Sequence, residues 1–94
     1  MTKICNEVDL MHFCENLPKE AVDECSSMGS NDDSCHFWVT KTNMNIDVNF
    51  ARSHIKHWGI EGTEDMNYFD LCTYLMWLGC HDVKDSLDEC DDNS

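Results

Sequence analysis

The side chains in this 94-residue chain that could do chemistry are seven cysteines, five histidines and nineteen carboxylates. The thiols stand at positions 5, 14, 25, 35, 72, 80 and 90, and their odd number leaves at least one outside any intramolecular disulfide. Zinc sites pair cysteines two to four residues apart, or histidines at similarly short spacing. No Cys-x-x-Cys occurs, and the adjacent pairs Cys35-His36 and Cys80-His81 do not easily converge on one tetrahedral ion. His54 and His57, flanked by Arg52 and Lys56, read as the exposed face of an amphipathic helix. Cys14, Cys25, Cys72, Cys80 and Cys90 each occupy an apolar helical stripe, where a buried thiol acts as a small hydrophobe. That is the leading reading of the cysteines, with disulfides second and a small Cys/His metal-binding protein third.

The disulfide reading has one specific pattern behind it. Cys25 and Cys35 enclose nine residues, and so do Cys80 and Cys90. This spacing resembles the twin Cys-x9-Cys helical hairpins of the mitochondrial intermembrane space. The resemblance implies helices stapled by disulfides in an oxidising compartment. Two features depart from it: Ser26 to Ser34 is a turn sequence, and 44 residues separate the two units. A disulfide-stapled secreted signalling protein is the broader form of the same alternative.

Other reactive patterns are incomplete. Asn43, Asn45, Asp47 and Asn49 copy the oxygen spacing of a calcium loop, but Val48 stands where glycine is needed and His54 where the bidentate glutamate belongs. There is no Gly-rich phosphate loop, no Gly-x-Ser-x-Gly and no His-Glu-x-x-His. No enzyme and no cofactor is expected.

The carboxylates carry a stronger signal. Nineteen acids against six bases give a net charge of −13, beyond the magnitude of about 2–8 that solubility asks of a small domain. Lys3, Lys19, Lys41, Arg52, Lys56 and Lys84 are scattered and form no basic stripe, which disfavours direct nucleic-acid binding. Such a surface repels nucleic acid and anionic membrane and attracts basic protein. No apolar run reaches the ~18 residues of a membrane span, and the N-terminus lacks the apolar core of a signal peptide, so a cytoplasmic protein is expected.

Near the C-terminus, Asp82, Asp85, Glu89 and Asp92 recur at i, i+3, i+7 and i+10, with Asp88 and Asp91 beside them. On a helix these acids stand roughly 5 Å apart along the axis, comparable with the ~3.4 Å rise between phosphates of a duplex strand. These six acids are the candidate partner-binding residues, with Tyr74 and Trp77 as aromatic anchors on a helix flank. The expected function is a non-enzymatic acidic inhibitor occupying a basic, nucleic-acid-binding surface of another protein. Phage anti-restriction and anti-CRISPR proteins work by this logic, and the comparison rests on charge and size alone. A homodimer seam would use the same aromatics.

The elements that must hold these residues are mainly α-helical, in one compact domain. Asn6, with Asp9 three residues on, caps a helix over 7–16 whose face is Leu10, Phe13, Cys14 and Leu17. Pro18 opens a second helix over about 19–28, which Gly29 ends. The aromatic and β-branched residues from His36 to Thr42, and the alternation from Asn43 to Phe50, predict a short β-hairpin over about 36–47. A helix follows from Asp47 to Trp58, with Phe50, His54 and Trp58 spaced by four. Thr63 is expected to start a central core helix that Gly79 stops near Leu78. A last helix over about 82–90 carries the acidic row opposite Cys80, Val83, Leu87 and Cys90, and residues 91–94 are expected to fray.

Overall fold

The computed structural model describes residues 3–26 and 33–92, with side chains described as far as Ser86. In order come α1 (Glu7–Glu15), α2 (Lys19–Ser26), α3 (Asp33–Thr42), α4 (Val48–His57), a single 3-10 turn at Thr63–Asp65, and α5 (Tyr68–Asp92). The other four helices pack around α5, the longest element at 25 residues. Leu10, Ile46, Ile55, Leu71, Leu75 and Met76 are fully buried along it.

Local chemistry explains the helix starts. Asn6 Oδ1 accepts the Asp9 N–H at 2.8 Å, and Asp9 reaches back to accept the Cys5 N–H at 3.1 Å. This is a reciprocal cap shifted by one residue. Pro18, which has no N–H to lose, offers its carbonyl to the amides of Ala21 and Val22. Asp47 Oδ1 accepts the Phe50 N–H at 2.9 Å and opens α4. Gly59, at φ 84°, takes the left-handed conformation that closes α4, as expected for a glycine just past a helix end. The expected end of α2 at Met28 and Gly29 lies outside the described residues.

The hairpin over 36–47 is not present. α3 occupies its first half because Cys35, Trp38 and Val39, at i, i+3 and i+4, bury one helical face. The strand preference of aromatic and β-branched residues is weak, and packing overrides it. The Thr40 and Thr42 hydroxyls donate to the His36 and Trp38 carbonyls at 3.0 and 2.7 Å, so both threonines are satisfied inside the helix. Asn43 then turns left-handed at φ 54° and ends α3. The alternation beyond it survives as a single extended segment with Met44 and Ile46 buried. Its only pairing among the described residues is an isolated parallel bridge from Ile46 to Ile4. Tyr68 locks this segment to α5: its hydroxyl accepts the Ile46 N–H at 2.9 Å and donates to Asn45 Oδ1 at 3.1 Å.

The C-terminal half differs from expectation in two ways. Thr63 starts only the 3-10 turn, and α5 is capped by Asn67, whose Oδ1 accepts the Asp70 N–H at 2.8 Å. The helix then continues unbroken through Gly79 to Asp92, so the two expected helices are one. Gly79 is there for space: a Cβ at this position would collide with Cys14 Sγ and press on Leu10 of α1. Its absence lets two helices approach closely, and neighbouring turns of α5 carry the helix past the propensity cost of about 1 kcal/mol. Residues 93–94 lie outside the described residues.

Candidate functional site

The six acids of the expected row all fall on α5, which continues through them without a break. Asp82 is half-buried and Asp85 is exposed, with its Oδ2 3.3 Å from His81 Nδ1. Asp88, Glu89, Asp91 and Asp92 follow on the same helix. The two expected anchors are less exposed than an open interface asks. Tyr74 and Trp77 are half-buried against the core, and Trp77 Nε1 is buried without a hydrogen-bond partner. The aromatics that do face outward are Phe37, Trp58, Tyr68 and Phe69.

The cysteines divide by burial. Cys5 is exposed, while Cys14, Cys25, Cys35, Cys72 and Cys80 are buried. Cys14 of α1, Cys25 of α2 and Cys80 of α5 meet where the three helices cross. Hydrogen bonds with Cys14 and then Cys25, together with burial, push the Cys80 thiol strongly up. Burial pushes the Cys72 thiol up to about 11, partly opposed by the nearby Tyr68 hydroxyl. Thiols held protonated in this way are poor nucleophiles and poor ligands. Among the described residues no group of three or more His, Cys, Asp or Glu side chains could hold a metal ion. The twin hairpin pattern does not form either: Cys80 and Cys90 share α5, but Cys25 and Cys35 fall on separate helices, α2 and α3.

A different constellation forms where α1, α4 and α5 meet. His54, expected at the surface, is only 7% exposed, while His57 is exposed beside it. Ala51 and Ile55 on the same face are fully buried, and they carry His54 inward with them. His54 Nδ1 lies 3.5 Å from Glu7 Oε1 at the start of α1. Its Nε2 is buried and has no partner. A cavity of about 220 Å³ opens here, lined by Glu7, Leu10, Met11, His54, His57, Trp58 and Asp82. The Trp58 ring, 6.4 Å from the His54 ring between centroids, is half-exposed at its mouth.

Burial governs the titration of this site. It lowers the His54 pKa, although Glu7 and Asp82 pull it up. It raises the Asp82 pKa, against the favourable fields of His81 and His54. Desolvation therefore outweighs the attraction between the two groups. A larger surface hollow, about 360 Å³ between the end of α4 and the 3-10 turn, is lined by Lys56, Glu61 and Glu64. None of its residues has a buried polar atom lacking a partner.

Of the row's described side chains, Asp82 lines the His54 cleft and Asp85 does not. Glu7, His54 and Trp58 were not expected there, although the spacing of Phe50, His54 and Trp58 by four already put the histidine in line with two apolar rings. No family model matches the chain, and no curated protein or solved structure is significantly similar to it.

Proposed function

We propose that this protein is a non-enzymatic acidic binder that occupies a basic, nucleic-acid-binding surface of another protein and blocks it. The observation that carries this reading is α5 itself. Because the helix is unbroken, Asp82, Asp85, Asp88, Glu89, Asp91 and Asp92 belong to one helix instead of two. The eleven residues from Asp82 to Asp92 span about 15 Å of helix axis, a stretch comparable with several phosphates of a nucleic-acid strand. Internal neutralisation is sparse. Among the described residues, the close carboxylate–base contacts are Glu7–His54, Asp85–His81 and Asp23–Lys84, and two of these bases are histidines. The raised thiols of Cys72 and Cys80 agree with a role other than nucleophilic catalysis. No helix among the described residues is long and apolar enough to cross a membrane.

A direct test replaces Asp85, Glu89 and Asp92 together by lysine and measures affinity for a partner recovered by affinity capture. Binding should fall by about a hundredfold or more, with unchanged far-ultraviolet circular dichroism. Undiminished affinity in a folded triple variant removes the acidic row from the function. One observation favours a second reading, a disulfide-stapled protein of an oxidising compartment: the free thiols of Cys14 and Cys25 both lie within hydrogen-bond reach of Cys80. Denaturing alkylation of protein purified without reductant separates the two. Seven alkylated thiols support the first reading, and protected pairs support the second.

A further inference from the structure

Resting on the proposal that the protein binds a basic surface, we infer that the cleft between α1, α4 and α5 receives an arginine side chain of the partner protein. The inference starts from His54. It is more than nine-tenths buried, it forms the inner wall of the cleft, and its Nε2 has no hydrogen-bond partner. The Glu7 carboxylate can only accept, so the Nδ1 beside it carries the proton of the neutral ring. Burial disfavours the charged ring, and in the neutral ring Nε2 is a bare lone pair. Glu7 and Asp82 add carboxylate oxygens, and no lysine or arginine lines the cleft. Its unmet polar capacity is thus acceptors, and the complement is a cation rich in N–H donors.

Guanidinium fits this site better than ammonium. Its five donors lie in one plane and can serve the two carboxylates together, whereas ammonium offers three donors around a point. The half-exposed indole of Trp58 presents a face on which a guanidinium stacks. Leu10 and Met11 supply apolar wall for the aliphatic stem. Asp82, the first acid of the row on α5, joins the cleft to the rest of that row. An arginine seated here would therefore register a basic surface along the helix.

The test is a nuclear magnetic resonance titration of the full ¹⁵N-labelled chain with Nα-acetyl-arginine amide, then with its lysine counterpart. The His54 ring nitrogens and the Trp58 indole N–H should shift saturably. Arginine should bind about tenfold more tightly than lysine. Asp82→Asn should weaken arginine binding by about tenfold or more, and Glu7→Gln in parallel, with the dispersion of the amide spectrum retained. Shifts that spread over the exposed acids without saturation overturn the inference, as does equal binding of the lysine probe. The two proposals fail separately. If the captured partner binds Asp82→Asn undiminished but loses the triple lysine variant, the arginine cleft is wrong and the acidic-binder reading stands. If arginine amide saturates the cleft but duplex DNA and the chain do not compete for the partner, the cleft stands and the wider reading falls.

Discussion

Where α5 crosses α1 and α2, at Gly79 and Cys80, the contacts are small, apolar and buried, and the thiols that meet there bond to one another. One turn further along, at Asp82, the same helix meets α1 and α4 across a charged cleft. There a histidine nitrogen is orphaned and an acid is held where desolvation penalises it. The first crossing needs nothing from outside. The second carries polar groups whose burial costs stability, and one of them, His54 Nε2, has no hydrogen-bond partner among the described residues. A small domain with a narrow stability margin does not keep such groups for folding. Under the proposed function, the difference separates scaffold from recognition surface along one helix.

The largest expected effect tests the scaffold side. Gly79→Ala should destabilise the fold by about 1–3 kcal/mol in urea titration, because overpacking against Cys14 exceeds the gain of about 1 kcal/mol in helix propensity. Adding Cys14→Ala should restore most of the loss. A neutral or stabilising Gly79→Ala would show that the crossing yields and is not the tight layer described. Tyr68→Phe tests a polar contact that is satisfied. It strips the Ile46 N–H of its acceptor and should cost about 1–3 kcal/mol by the same assay. A loss well below that range would mean that water replaces the hydroxyl freely.

Both of these effects come from features that sequence patterns hide, whereas other parts of the fold were plain. Asn6 announced α1 because capping is a local exchange between one side chain and one backbone amide, and the spacing of Phe50, His54 and Trp58 by four announced α4. The mainly helical class followed from apolar residues at helical spacing. Residues 36–42 misled because strand preference measures fit to a half-buried surface, and here that surface is a helix face holding Cys35, Trp38 and Val39. Gly79 misled because a glycine that ends a helix and one that admits a neighbour look alike until α1 is in place. Asp82 was legible as part of an acidic row. The inward turn of His54 depends on Glu7, 47 positions earlier in the chain, which no local spacing could connect to it.

Two smaller effects probe the cleft. The folded His54 pKa is below its ordinary 6.5, so the unfolded chain binds more protons in the window below that value. The His54 contribution is therefore full above about pH 6.5 and is lost as pH falls through the window. His54→Gln should flatten the difference in urea midpoint between about pH 5 and pH 7 relative to the parent. An unchanged pH slope would mean that His54 is as well solvated folded as unfolded. Asp82 has the opposite sign. Its folded pKa is raised, so the native state holds its proton more tightly just above 3.8, and ionisation at neutral pH costs stability. Asp82→Asn should give a melting temperature at neutral pH slightly above the parent, the smallest effect of the four. A lower melting temperature would show the carboxylate to be structural, and the contrast between the two crossings would lose its functional side.

The central claim is that the charge on α5 and its cleft exists to meet a basic surface. The most direct measurement is the association constant of the chain and its captured partner from about 0.05 to 0.5 M salt, with duplex DNA as competitor. Affinity should fall steeply and linearly on logarithmic axes, and DNA and the chain should exclude one another from the partner. An affinity that ignores salt, or a ternary complex of partner, chain and DNA, would contradict the account.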